Sequence, residues 1–239
     1  PAFYEVPVEG LLDEGYIKAR MADFSMEDAS DSDAISAGEP AMQESMNTTH
    51  YSIVDPEGNA VSATTTLNSV FGAKVFVAGS GFLLNNEMND FSIKPGYPNN
   101  YGLVGGEANA IAPGKRMLSS MTPTILEKDG ELYMVVGSPG GSTIITSVYQ
   151  TILNVTVYGL PMQGAVNAGR FHHQWQPDWV LSEWGTLSTG TTMQLWLMGH
   201  QIAPKITGGI GRVDAVLVRP DNTLEGGADP RGDDAAAGF

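Results

Sequence analysis

Residues 122–161 change their hydrophobic period in mid-course, and that change limits which folds can hold them. In "TPTILEKDGELYMVVG" two strand-like runs flank Asp129-Gly130, a pair suited to a tight β-hairpin turn. "GSPGGS" follows, and then Ile144, Ile145, Val148, Ile152 and Val155 recur on one helical face until Gly159 and Leu160-Pro161 stop the helix. A strand running through a glycine-rich turn into a helix predicts helices packed with sheet. The turn at 137–142 gathers backbone N–H groups at a helix N-terminus, where they can hold an anion or a developing oxyanion. A tight turn that needs glycine for steric reasons accounts for the same residues equally well.

A second hairpin is predicted upstream, from "HYSIVD" through the turn "PEGN" to "AVSATTTLN", with another strand or two in 73–84. Residues 92–116 are dense in Pro, Gly and Asn and predict a long irregular loop of the kind that serves as an active-site lid. "MQGAVNAGRF" predicts a short helix, and 180–227 predicts short strands with one helix near 190–199. At the other end, Leu11, Leu12, Tyr16, Ile17 and Met21 are spaced for one face of an amphipathic helix. Residues 26–47, polar, acidic and small, predict an exposed linker of the kind at which chains are cut.

Composition removes several chemistries. The 239 residues contain no cysteine, which excludes disulfides, thiolate metal sites and cysteine nucleophiles. With 12 Lys+Arg and a net charge of −15, the chain offers no basic face for nucleic acid. No apolar run approaches the roughly 18 residues of a membrane span. No G-x-S-x-G elbow or H-E-x-x-H is present, and "PGKRM" lacks the hydroxyl that a P-loop carries after its lysine. The adjacent His172 and His173 point apart and are read as structural rather than as a metal pair.

Six motifs in one order, "TTHYS", "LNNEMNDF", "KRMLSSMTPT", "GSPGGS", "RFHHQW" and "DPRGDDAAAGF", closely resemble the γ-glutamyltranspeptidase (glutathione hydrolase) family of N-terminal nucleophile hydrolases. The resemblance implies an α+β fold of the αββα sandwich type, partial here. It makes residues 1–47 the C-terminal end of a large subunit with its linker, and 48–239 a catalytic small subunit.

It also implies roles. The precursor would cleave itself at Asn47–Thr48, and Thr48 would then carry both the nucleophilic hydroxyl and, as its own α-amino group, the base. Thr66 matches the second threonine that hydrogen-bonds the nucleophile, while Thr64 and Thr65 are ordinary strand residues. Gly140 and Gly141 would form the oxyanion hole. Asn68, Glu87 and Asp90 would hold the donor's α-ammonium, Ser119 and Ser120 its α-carboxylate, and Tyr101 would close over the pocket as a lid.

The implied donor is glutathione or another γ-glutamyl amide, and the acceptor is water or an amino acid or peptide. No metal or organic cofactor is implied. The implied partner is the large subunit, whose carboxylate-binding arginine lies outside this sequence, so this chain alone is expected to be inactive. The implied compartment is periplasmic or secreted. Within the same fold, a cephalosporin (glutaryl) acylase or a poly-γ-glutamate depolymerase is the competing expectation, and a non-catalytic fragment that serves assembly is another. A glutaryl group has no ammonium, so two acidic residues at Glu87 and Asp90 favour γ-glutamyl.

Overall fold

The computed structural model describes residues 7–32, 34–35, 47–98, 103–205 and 208–238. The N-terminal periodicity yields two short helices, α1 (Val8–Leu12) and α2 (Glu14–Arg20), rather than one. Asp13 breaks them: its backbone is extended (ψ 127°), and its side chain accepts the Tyr16 N–H at 2.7 Å, capping α2. No residue of either helix is buried. The expected exposed linker is only partly so. Residues 36–46 lie outside the described residues, but Ser32 is buried, and the carbonyls of Ser32 and Ile35 accept the Trp175 indole N–H.

β1 (Asn47–Val54) and β2 (Ala60–Asn68) form the first predicted hairpin, and β3 (Phe76–Val77) and β4 (Phe82–Leu83) form a small one after it. Among the described residues of the loop region 84–118, the helical elements are two short 3₁₀ turns, Glu87–Asp90 and Glu107–Asn109, in agreement with its composition. β5 (Thr124–Lys128) and β6 (Glu131–Gly137) turn at Asp129-Gly130 with positive φ at both residues (56° and 84°), the requirement of a type I′ turn. Then come α3 (Ile144–Thr156), α4 (Met162–Asn167), β7 (Phe171–His172), β8 (Val180–Glu183), α5 (Thr189–Leu197), β9 (Ile202–Lys205), β10 (Asp214–Val218) and β11 (Leu224–Gly227).

The central sheet runs β11-β10-β6-β5 and is antiparallel throughout. In β6 the four consecutive residues Met134, Val135, Val136 and Gly137 are all buried, because both faces of the strand are covered. Met134, Val136, Ala215 and Leu217 pack against Ile144, Val148 and Val155 of α3 and Met162, Ala165 and Val166 of α4. Each of the larger side chains among them contributes about 1.5–3 kcal/mol through removal from water, and each alanine less. The β1–β2 hairpin lies on the opposite face, where the contacts are polar. Ser62 Oγ donates to the Val136 carbonyl and Ser52 Oγ to that of Asp214, both at 3.1 Å. His50 fills the space above Gly137, where any Cβ would collide with its ring. Burial lowers the His50 pKa to about 4, so the ring stays neutral between Thr64 and Ser52. Helices, sheet and hairpin therefore supply an α, a β and a second β layer of the expected sandwich. Among the described residues no fourth, helical layer covers the hairpin.

Candidate active site

Thr48 and Thr66 stand opposite each other on β1 and β2, while the adjacent pair is Asn47 with Asn68. Leu67 is skipped, so a β-bulge interrupts the ladder at the Asn47–Thr48 bond. The Thr48 hydroxyl is buried and has no hydrogen-bond partner among the described residues. It borders a cleft of about 620 Å3 whose walls include Thr66, Gly140, Thr143, Gly211 and Arg212. A larger groove, about 1370 Å3, lies by the β1–β2 turn, and chemistry rather than size selects the smaller one.

The glycine turn reaches this cleft because another loop pins it. Arg212 N–H is shared between the Pro139 carbonyl (3.2 Å) and Ser138 Oγ (3.0 Å), and a Cβ on Gly140 would come within 2.9 Å of Gly211 Cα. Gly140 has φ 143° and Gly141, which is buried, has φ 62°, so both positions favour glycine. The loop at 208–213 is in turn held by a buried ion network. Arg170 meets Asp229 at 2.8 Å, with both side chains almost fully buried, and donates to the Ile210 carbonyl at 3.0 Å. Arg231 grips both carboxylate oxygens of Glu183 at 2.6 Å, and Asp229 accepts the Val213 N–H. The signal for this network in the sequence is opposite charge in distant segments, Arg170 in "RFHHQW" against Asp229 in "DPRGDD", and nothing local marks it.

Beyond the bulge, Asn68 ends β2 in a left-handed conformation (φ 72°), and its N–H donates to Thr66 Oγ1 at 2.9 Å. Its side-chain amide donates to the Asn86 carbonyl at 3.0 Å, and Asn86 exchanges hydrogen bonds with Ser69. These bonds strap the strand end to the turn that carries Glu87 and Asp90. Asp90 is 5 % exposed, and its Oδ1 has no partner among the described residues. Burial, then the Glu87 charge, pushes its pKa up to about 6, and burial also raises Glu87. Two neighbouring carboxyl groups thus sit in this turn, outside the residues that line the cleft, and no cation is paired with them in the ion pairs of the described residues.

Ser120 is buried and Ser119 exposed, on a stretch tied to Asp90 through Asn109. Asn86 and Asn109 escaped sequence reasoning because an asparagine in a loop looks like any turn residue. Tyr101 lies outside the described residues. His172 bonds Thr146 and Gln174, His173 pairs with Asp178, and among the described residues no group of three or more His, Asp or Glu is arranged to hold a metal. Also among the described residues, no helix is long and apolar enough to cross a membrane.

Comparison with known proteins gives the same direction. The sequence profile of the family described as gamma-glutamyltranspeptidase matches residues 1–239. The glutathione hydrolase proenzyme of Escherichia coli K12 is 48% identical over 100% of this chain and 41% of its own length. The acylase ACY 1 proenzyme of Pseudomonas sp. V22 is 37% identical over 98% of this chain and 38% of its own. A solved mutant gamma-glutamyltranspeptidase of Helicobacter pylori superposes with a TM-score of 0.73 at 51% identity, covering 77% of this chain and 100% of that one. The chain thus spans about two fifths of the length of these curated relatives.

Proposed function

Because the chain belongs to the γ-glutamyltranspeptidase family, we propose that the whole protein cleaves γ-glutamyl amides, glutathione among them, through an ester on Thr48. In this reading the precursor splits at Asn47–Thr48, so that 1–47 ends the large subunit and 48–239 is the small one. The observation that carries it is the buried Thr48 hydroxyl, without a hydrogen-bond partner among the described residues, opposite Thr66 and bordering the cleft that Gly140 lines.

Once Thr48 is an N-terminus, its α-amino group takes the hydroxyl proton as Oγ1 attacks the acyl carbon. The carbonyl oxygen becomes an oxyanion at the N–H groups of Gly140 and Gly141. The C–N bond then breaks, the amine leaves with that proton, and water or an amine acceptor releases the acyl group by attacking the ester. Thr66, which stands opposite Thr48, orients the nucleophile once the chain is cleaved. Asn68, Glu87 and Asp90 take the α-ammonium, Ser119 and Ser120 the α-carboxylate, and Tyr101 serves as the lid. The remaining large-subunit sequence completes the pocket, and the family likeness favours a periplasmic or secreted setting. None of these steps draws on a metal or organic cofactor.

The competing reading is a glutaryl acylase, since an acylase proenzyme stands among the relatives. The Glu87 and Asp90 pair, which meets no cation in the ion pairs of the described residues, favours an ammonium-bearing donor. The test is hydrolysis of γ-glutamyl and glutaryl anilides by the processed full-length protein, with peptide mass analysis of the quenched acyl-enzyme. The proposal expects preference for γ-glutamyl and an acyl group on the peptide that begins at Thr48. Faster glutaryl turnover, or an acyl group elsewhere, contradicts it.

A further inference from the structure

Asn109 is 6 % exposed, in a region with little regular structure, and both ends of its carboxamide are engaged. Nδ2 donates to the Asp90 carbonyl at 2.7 Å, and Oδ1 accepts the Leu118 N–H at 3.0 Å. The Asn109 carbonyl accepts the Ser92 N–H at 3.0 Å, beside a parallel bridge between Ser92 and Ala110. On either side, Lys115 Nζ donates to the carbonyls of Ala108 (2.6 Å) and Ala110 (2.9 Å), so the segment that carries Asn109 is itself braced. Two segments separated by more than twenty residues thus meet at one side chain.

The chemistry of that meeting restricts the residue. One partner is a carbonyl and needs a donor; the other is an N–H and needs an acceptor. A carboxamide supplies both across one planar group, whereas an ionised carboxylate supplies acceptors alone and a hydroxyl is a single atom. Left unmet, the buried Asp90 carbonyl and the part-buried Leu118 N–H would each lose a hydrogen bond.

We infer that Asn109 is a positioning residue that sets the distance between two halves of an amino-acid clamp: the carboxyl of Asp90 and the hydroxyls of Ser119 and Ser120, which directly follow Leu118. The inference rests on the function proposed above. In a γ-glutamyl donor the α-ammonium and α-carboxylate hang from one carbon, so their separation is fixed by the substrate. The protein must match it, and a displacement of about 1 Å can cost on the order of a hundredfold in rate. Asn109 touches neither group and acts by holding both backbones. A donor that uses only one half of the clamp does not need the two halves in register.

The experiment compares wild type with Asn109→Ala and Asn109→Asp in the full-length, self-processing protein. Three anilides are used: γ-glutamyl, glutaryl (no ammonium) and 4-aminobutanoyl (no carboxylate). Asn109→Asp keeps shape and the acceptor to Leu118 but loses the donor to Asp90, so it tests the link even where Asn109→Ala fails to fold. For γ-glutamyl, kcat/KM is expected to fall about thirtyfold or more, mainly through KM, while each truncated donor stays within about threefold of its wild-type value. Cleavage at Asn47–Thr48, which does not use the clamp, is expected to keep its rate. Equal losses for all three donors, or no loss for any, overturn the inference while leaving the proposed function standing. A wild type with no preference for γ-glutamyl over the truncated donors removes the proposed function itself, and the inference with it.

Discussion

Thr48 and Asp90 each keep a buried oxygen without a hydrogen-bond partner among the described residues, yet the chain secures them in opposite ways. Thr48 sits on a strand in register with β2, and that hairpin lies on a sheet whose other face carries the apolar core. Asp90 sits in a 3₁₀ turn with little sheet or helix around it, held by side-chain amides of Asn68, Asn86 and Asn109 acting on backbone groups. In the proposed function, regular structure positions the reacting atom, and individually placed amides position the groups assigned to the donor. Damage on the strand side should therefore appear in kcat for every donor, and damage on the loop side in discrimination between donors.

The largest effect belongs to the strand side. Gly140→Ala puts a Cβ 2.6 Å from Thr143 Oγ1 and 2.9 Å from Gly211 Cα, at a φ that favours glycine. It should lower kcat by about 10²–10³, the usual cost of a spoiled oxyanion hole, and to the same extent for γ-glutamyl and glutaryl anilides. A loss confined to γ-glutamyl would break the division. On the loop side, Asp90→Asn should cost about ten- to a hundredfold in kcat/KM for γ-glutamyl, the worth of one charge-assisted bond, and nothing for glutaryl. Equal losses for both donors would reduce Asp90 to a support of the fold.

Acidity sharpens the same contrast. Asp90 must be ionised to pair with an ammonium, and burial followed by the Glu87 charge raises its pKa to about 6. The charged form is therefore lost as pH falls through about 6, where an unburied carboxylate would hold its charge to about 4. kcat/KM for γ-glutamyl should show that acid limb, and glutaryl turnover should lack it. Glu87→Gln removes the second cause and should move the limb to lower pH; an unmoved limb assigns it to another group.

The smallest effect is on stability, beneath the hairpin. The Asp214 pKa is raised to about 7 by burial and then by Asp234 and Asp229, so its ionised form is disfavoured in the folded state. That cost is present above about pH 7 and fades as pH falls towards the unfolded value near 4. Asp214→Asn should therefore raise Tm by about 2–4 °C at pH 8 and by less at pH 5. An equal rise at both would locate the gain elsewhere.

Legibility in the sequence follows the same divide. The two hairpins, the turn at Asp129-Gly130 and the helix from Ile144 could be read because period and turn chemistry are local properties. Asp13 defeated the single N-terminal helix: side-chain capping competes with an apolar stripe and leaves the periodicity unchanged. The irregular loop could be read from its Pro, Gly and Asn, but Asn86 and Asn109 could not be singled out, since their partners lie 17 and 19 residues away. The Arg170–Asp229 and Arg231–Glu183 pairs span still longer separations, and pairing across such distances becomes visible only when the sheet and loops are assembled. The site roles came from motif order, and geometry then brought Thr48, Thr66 and Gly140 to one cleft.

The central claim is that Thr48 becomes a chain terminus and then a nucleophile. Intact mass and N-terminal sequencing of the purified full-length precursor, wild type beside Thr48→Ala, test it most directly. The account predicts that wild type separates without added protease into two chains, one beginning Thr48-Thr49-His50, and that Thr48→Ala remains a single chain with no γ-glutamyl hydrolysis. Cleavage of Thr48→Ala at the same bond, or an active wild type still joined through Asn47–Thr48, would contradict it.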